Sequence, residues 1–173
     1  MVEAIQALLN VNGIGIKLHG DQTAFVLPAS LLRHAPYLLG KMYANGQGHI
    51  KRPGTEQWIR MEKDEKKAVI WYAKAAEQYT KAAEQGNAKT QSRLAHMYRD
   101  GKGVEQDYAQ AVKWFNKSVE QGDALGQAGL GYMYLAGKGV KKDFGKGLEL
   151  YIKSAEQGFA QTQYQLGGIY FHG

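Results

Sequence analysis

Residues 87–122 read NAKTQSRLAHMYRDGKGVEQDYAQAVKWFNKSVEQG, and residues 123–158 read DALGQAGLGYMYLAGKGVKKDFGKGLELYIKSAEQG. Glycines at positions 86, 122 and 158 bound the two stretches, and leucine and tyrosine also recur every 36 residues. A fixed period of this length is typical of one supersecondary unit that is copied and stacked. The sequence therefore predicts a solenoid, whose usual use is to present an extended surface to a partner.

Each repeat contains two helical segments. In residues 88–98 the small and apolar side chains recur at spacings of three and four, which places them on one helical face. The glycines of Gly101-Lys102-Gly103 predict the end of that helix, because glycine readily adopts the left-handed conformation. Asp107 is the predicted N-cap of the second helix, and Gly122 is its predicted left-handed end. One pair cannot bury its own apolar face, so the pairs must stack.

Three strings carry a family resemblance: Leu130-Gly131-Tyr132-Met133-Tyr134, Gly137-Lys138-Gly139-Val140 and Ala155-Glu156-Gln157-Gly158. With their equivalents in the preceding repeat, they resemble the Sel1-like repeat family, which is related to tetratricopeptide repeats. The resemblance implies an all-α fold, a right-handed superhelical solenoid of helix pairs. It also implies a non-enzymatic interaction scaffold, since the family includes adaptors, secreted bacterial factors and bacterial immunity proteins. Some bacterial members have a disulfide in each repeat, whereas this chain has no cysteine.

The repeat pattern divides the chain into five predicted segments. The first is a non-repeating N-terminal cap, in which Val2–Leu9 reads as a short helix and segments 13–18 and 23–27 as a β-hairpin. A cap is expected because a repeat array must cover its terminal apolar face. The segments are the cap at 1–36, an irregular first repeat at 37–86, regular repeats at 87–122 and 123–158, and the first helix of a partial repeat at 159–173.

Two insertions make the first repeat irregular. A tandem copy of seven residues lengthens its second helix, predicted from Asp64 to Gln85, and we expect the extra turns to protrude from the stack. The other insertion is a loop at 49–60. Long loops on rigid scaffolds are often functional, so its side chains either anchor a partner or fold back, with Trp58 covering the end of the first pair. The candidate partner-binding residues of this loop are Arg52, Trp58, Ile59 and Arg60.

Composition excludes several classes of function. The chain of 173 residues has 44% hydrophobic and 22% charged residues, which are globular values. A net charge of +6 raises the question of nucleic acid, but the cations are interleaved with acids, so a solvated helical surface is the favoured reading. We find no phosphate loop, no histidine pair at ligand spacing and no catalytic constellation. The sequence therefore predicts no cofactor, no metal and no enzymatic activity.

The sequence also bears on location. No apolar run reaches the length of a membrane-spanning helix. The first ten residues lack a basic leader and contain Glu3, so we expect a cytoplasmic protein. A periplasmic or secreted location is the alternative if a signal peptide has been removed.

The variable positions of a solenoid are its candidate binding sites. In tetratricopeptide repeats the first helices line the concave surface, and by this resemblance we assign the partner site to their variable faces. Aromatic residues that recur at one repeat position, as Tyr98, Tyr134 and Tyr170 do, are instead read as packing residues, and so are Trp71 and Trp114. The candidate concave residues are Lys89, Arg93, His96, Arg99, Leu125, Tyr132, Leu135 and Gln165.

The charge of these candidates suggests the partner. A cationic end beside an apolar middle suits an acidic peptide or an acidic protein loop. Two functions stay open: an adaptor that binds an acidic segment on the concave face, or an inhibitor that neutralises a bacterial toxin through the 49–60 loop or the long helix.

Overall fold

The computed structural model describes residues 15–17, 25–26, 35–51 and 57–172. Its contacts divide the chain into two compact units, Met1–Ala75 and Ala76–Gly173. The predicted helix at Val2–Leu9 lies outside the described residues. Elements are numbered here in chain order.

The first unit contains a small sheet beside its helices. Its strands are β1 (Gly15–Lys17), β2 (Phe25–Val26), β3 (His49–Lys51) and β4 (Trp58–Arg60), in the antiparallel order β2-β1-β3-β4. The predicted pairing of β1 with β2 is confirmed. The interpretation of residues 49–60 as a plain loop was wrong, because both ends of this insertion form strands and β3 pairs with β1. The register joins Ile16 to Ile50 and Ile50 to Ile59.

Helix α1 (Ala35–Asn45) packs against the beginning of α2 (Glu65–Glu84). Gly40 permits the close approach, since a Cβ at this position would lie 2.6 Å from Cδ1 of Tyr72. The Asp64 carboxylate accepts a 3.0 Å bond from the Lys67 amide and so caps α2. The indole of Trp71 is completely buried, so its predicted packing role is confirmed.

The lengthened helix is as long as predicted, but its extra turns do not protrude. Ala76, Tyr79 and Ala83 are at most 4% exposed. The tandem copy spans nearly two whole helical turns, so it extends one buried face instead of rotating it into solvent. The seven added residues therefore contribute to the packed structure.

The second unit consists of stacked helix pairs after the end of α2. The helices are α3 (Ala88–Asp100), α4 (Tyr108–Glu120), α5 (Ala124–Ala136), α6 (Phe144–Glu156) and α7 (Ala160–His172). Asp107 caps α4 through a 2.9 Å bond from the Gln110 amide, as predicted. Gly101 and Gly137 end α3 and α5 in the left-handed conformation, both with φ of 67°. The all-α helix-pair fold is thus confirmed.

Repeated hydrogen bonds hold each pair together. The Ser118 hydroxyl donates to the Ala88 carbonyl at 3.0 Å, and the Ser154 hydroxyl donates to the Ala124 carbonyl at 2.8 Å. Because each serine lies near the end of its helix and each alanine at the beginning of the preceding one, the paired helices run antiparallel. This arrangement leaves the first helices, α3, α5 and α7, next to one another.

Candidate functional site

The second unit has an open cavity of about 540 Å³ on the side of its first helices. Residues of α3, α5 and α7 form most of its wall, and the segments after α3 and α5, Tyr151 of α6 and Phe159 before α7 complete it. The lining residues are His96, Arg99, Asp100, Gln106, Tyr108, Leu125, Ala128, Gly129, Tyr132, Lys138, Tyr151, Phe159, Gln161 and Gln165.

Five of the eight candidate concave residues line this cavity; they are His96, Arg99, Leu125, Tyr132 and Gln165. The other three do not. Lys89 is exposed and Arg93 is half-buried, both outside the cavity wall. Leu135 packs towards α6, because a Cβ at Gly147 would lie 2.6 Å from its Cγ. A single helix presents several faces, and sequence spacing alone did not separate them.

Tyr132 is the aromatic centre of the cavity wall. The Arg99 guanidinium lies 5.4 Å from its ring centroid, and the Lys138 ammonium lies 5.6 Å from the same centroid. Lys138 also lies 5.3 Å from the ring of Tyr108. A hydrogen bond to Tyr132 and the nearby tyrosines hold the pKa of Lys138 above its usual value. Two cations are thus placed around an aromatic surface.

One carboxylate balances part of this charge. Asp100 accepts two bonds from the Arg99 guanidinium, at 2.6 and 3.1 Å, and lies 3.7 Å from the Lys102 ammonium. Burial raises the pKa of Asp100, but the hydrogen bond and charge of Arg99 outweigh burial and lower it. The bidentate pair fixes the guanidinium plane. Because Asp100 is the one carboxylate in the lining, Arg99 and Lys138 leave the cavity wall cationic.

His96 is the buried polar group of the wall. Its ring meets that of Phe115 edge-on, with centroids 4.9 Å apart. Within the described part of the chain, its Nε2 atom is buried without a hydrogen-bond partner. Burial, reinforced by the positive charge of Arg99, lowers its pKa to about 4. The imidazole is therefore neutral at physiological pH.

This pKa predicts a pH-dependent stability. The folded-state pKa of His96, about 4, lies below its ordinary value of 6.5, so the unfolded chain binds the proton more readily. The stabilisation that the neutral His96 contributes is complete above pH 6.5, its ordinary pKa, and is lost as the pH falls towards 4. From about pH 7 to about pH 5 we expect this residue to reduce the free energy of unfolding by about 2 kcal/mol. Urea unfolding of His96→Gln should lack this component; an equal loss in both proteins would contradict the prediction.

Sequence reasoning missed three important residues of the wall: Tyr108, Lys138 and Tyr151. Lys138 lies in a Gly-Lys-Gly loop that we interpreted only as a helix breaker. Tyr108 begins α4 and Tyr151 lies in α6, whereas the sequence prediction considered only the first helices. The topology of the repeat could have identified Lys138, because the loop after each first helix begins beside the variable face of that helix.

None of the described residues of the 49–60 insertion lines this cavity. Arg52 lies outside the described residues. Trp58 and Ile59 lie in β4, and Arg60, at its end, is exposed. These residues belong to the first unit, whereas the cavity belongs to the second.

Packing explains the regular spacing of the repeat aromatics. Trp114 is 8% exposed, and Tyr98 and Tyr134 are half-buried, whereas Tyr170 is 69% exposed. The first three thus pack as predicted. Tyr170 occupies the same repeat position on α7, where no described helix follows to cover it.

The stacked helix pairs define an α-solenoid, and its cavity is a candidate surface for binding a partner. The Sel1 repeat family matches residues 34–53, 58–78, 79–87, 88–123, 124–159 and 160–173, and the chain belongs to this family. Proteins with Sel1 repeats are generally protein–protein interaction scaffolds and are typically not enzymes.

Two solved structures are similar to this chain. One is c5321, described as a protective antigen of uropathogenic Escherichia coli strains with an SLR fold; it is 38% identical over 82% of this chain, with a TM-score of 0.51. The other is a Sel1 repeat protein from Oxalobacter formigenes, 30% identical over 83% of this chain, with a TM-score of 0.53. The chain spans 26% and 51% of these relatives. No curated protein matches it.

Among the described helices, none combines the length and the apolar character that crossing a bilayer demands.

Proposed function

We propose that this protein is a non-enzymatic adaptor that binds an acidic segment of a partner protein in the cavity of its second unit. The observation that carries the proposal is that Arg99 and Lys138 both lie within 5.6 Å of the centroid of the Tyr132 ring. Arginine and tyrosine are enriched among the residues that dominate protein interfaces, and paired cations favour an acidic ligand.

The lining also suggests how such a segment is recognised. A carboxylate of the partner would contact Arg99 or Lys138, and an apolar side chain next to it would contact Leu125 and Tyr132. Gln161 and Gln165 offer amides to the partner backbone. A mixed wall of this kind suits an extended or helical peptide better than a bare phosphate chain.

The adaptor function is tested by a quantitative pull-down from a lysate of the source organism. Bait proteins are the wild type, the double variant Arg99→Glu/Tyr132→Ala, and Lys113→Glu as control. Lys113 is exposed on α4 and outside the cavity wall, and its substitution changes the charge as Arg99→Glu does. We expect a partner recovered by the wild type and the control but lost with the double variant. Equal recovery by all three would exclude the cavity as the binding site. Recovery of nucleic acid in place of a protein partner would exclude the adaptor function.

A second function, neutralisation of a toxin, is favoured by one observation. The β3–β4 hairpin is joined to β1 by backbone pairing, so the scaffold holds residues 58–60 in an ordered strand. Strand Trp58–Arg60 would then be the segment that contacts the enzyme. The triple variant Trp58→Ala/Ile59→Ala/Arg60→Ala should abolish neutralisation and leave the helical circular dichroism unchanged. Retained neutralisation by a folded variant would rule out this function for the hairpin.

A further inference from the structure

The two cations of the cavity wall differ in the groups that already contact them. Arg99 donates to both carboxylate oxygens of Asp100, at 2.6 and 3.1 Å. A carboxylate of the chain itself therefore occupies the edge of the guanidinium formed by Nε and Nη2. Burial raises the pKa of Asp100, but Arg99 and Lys102 lower it further, so this carboxylate is ionised at physiological pH. Arg99 thus already has a counter-ion within the cavity wall.

Lys138 has no counter-ion of this kind. Within the part of the chain that the structure describes, no carboxylate forms an ion pair with its ammonium. Its close neighbours are aromatic, because the ammonium lies 5.3 Å from the ring centroid of Tyr108 and 5.6 Å from that of Tyr132. Tyr132, followed by Tyr108, raises the pKa of Lys138, and no carboxylate contributes. The charge is therefore held between tyrosines and is not neutralised by them.

The preceding repeat shows the same loop with its cation paired. Lys138 corresponds to Lys102, which lies 36 residues earlier in an identical Gly-Lys-Gly string. The backbone N–H of each lysine donates at 3.0 Å to the carbonyl of a methionine five residues before it, so the two loops begin alike. The Lys102 ammonium lies 3.7 Å from the Asp100 carboxylate. The residue equivalent to Asp100 is Ala136, which has no group to pair with Lys138.

We infer that Lys138 binds the carboxylate of the partner segment, and that Asp100 determines specificity by keeping Arg99 in an internal ion pair. The inference rests on the proposed binding of an acidic segment and names the cation that performs it. The rings of Tyr108 and Tyr132 displace water from around the ammonium, which strengthens an ion pair formed there. Their hydroxyls can donate to the second oxygen of a bound carboxylate.

The charge of Asp100 also limits which segments bind. A second carboxylate beside the one on Lys138 would meet Asp100 in the same wall, and like charges repel. One cation without a counter-ion, one fixed carboxylate and the apolar side chain of Leu125 therefore suit a segment with a single aspartate or glutamate between apolar residues. A run of acidic residues or a polyphosphate fits this wall less well.

The inference is tested with two acetylated and amidated peptides, Gly-Ser-Leu-Glu-Leu-Ser-Gly and its glutamine counterpart, titrated into the full chain by calorimetry. The ratio of their Kd values, the glutamate preference, isolates the contribution of the carboxylate. We expect a preference of about 10-fold for the wild type and of about 1 for Lys138→Gln. Adding Asp100→Asn to Lys138→Gln should restore about 10-fold, because Arg99 is then released to bind the glutamate.

Two further variants separate the release of Arg99 from a general change of charge. Glu105→Gln removes the same charge as Asp100→Asn, and Glu105 is exposed and outside the cavity wall. Combined with Lys138→Gln, it should not restore the glutamate preference. Adding Arg99→Gln to the restored variant should abolish the preference again. Circular dichroism of each variant verifies that the helices are retained.

Three outcomes would overturn the inference while the wild type still prefers glutamate. They are an unchanged preference in Lys138→Gln, no recovery on adding Asp100→Asn, and equal recovery with Glu105→Gln. A wild type that binds both peptides equally, or neither, would overturn the proposed function itself, and this inference with it.

Discussion

Gly131→Leu should destabilise this protein by about 3 kcal/mol, while Gly167→Leu, the same change 36 residues later, should stabilise it slightly. At Gly131 the new side chain meets the Tyr151 ring and the Gly147 carbonyl, both within 3.0 Å of the added Cβ. Backbone cannot yield as a flexible side chain can, so α5 and α6 must separate. The helix propensity gained by replacing glycine, about 0.8 kcal/mol, does not offset this loss.

At Gly167 only the gain in helix propensity remains. The site is exposed, and nothing lies within 4 Å of the added Cβ. We therefore expect an increase of about 0.5 to 1 kcal/mol in the free energy of unfolding. Urea unfolding followed by circular dichroism at 222 nm, a standard helix signal, measures both variants. Equal destabilisation of the two would mean that Gly167 is covered as Gly131 is, and would contradict the open surroundings of Gly167.

Reversing the charge of both cations of the cavity should weaken binding of the partner far more than any single surface change. In Arg99→Glu/Lys138→Glu the ring of Tyr132 loses both cations, and an acidic ligand would meet two carboxylates. We expect a loss of about 100-fold in affinity, or about 3 kcal/mol, for the partner recovered in the pull-down. Lys113→Glu/Lys141→Glu, with the same charge change at two exposed sites outside the cavity, should lose less than about 3-fold.

The salt dependence of the same titrations supplies an independent readout. Wild-type affinity should fall as the ionic strength rises, since exposed charges are screened beyond about 10 Å at 0.1 M salt. The affinity of the double variant should fall less or not at all. A salt response that is identical in both proteins would remove Arg99 and Lys138 from the recognition of the partner. Isothermal titration calorimetry measures both affinities directly.

The sequence predicted the second unit well because its signals are local and repeated. A capping carboxylate such as Asp107, a left-handed glycine such as Gly101 and a period of 36 residues each constrain the same helix pair. The first unit was predicted less well. Strand β3 belongs to an insertion, and its pairing with β1 depends on a contact between distant segments that no local pattern encodes.

The candidate site was predicted in part for the same reason. Arg99 on α3 and Tyr132 on α5 each lie on a variable face predicted from helical spacing, and both line the cavity. The position of Lys138 depends on the path of a loop, and the direction of Leu135 depends on the absence of a side chain at Gly147. Likewise, the burial of Tyr79 depends on what packs against a helix and not on its length. Such features follow from tertiary packing, which a pattern along the chain does not specify.

The most direct test of the central claim, that the cavity of the second unit binds acidic segments, is a selection from a random peptide library displayed on phage. The immobilised wild type and Arg99→Glu/Lys138→Glu are compared, with Lys113→Glu/Lys141→Glu as the control bait. The wild type and the control should enrich peptides that contain aspartate or glutamate next to an apolar side chain, and the cavity variant should not retain them. Enriched peptides without acidic residues, or equal retention by all three baits, would contradict the account.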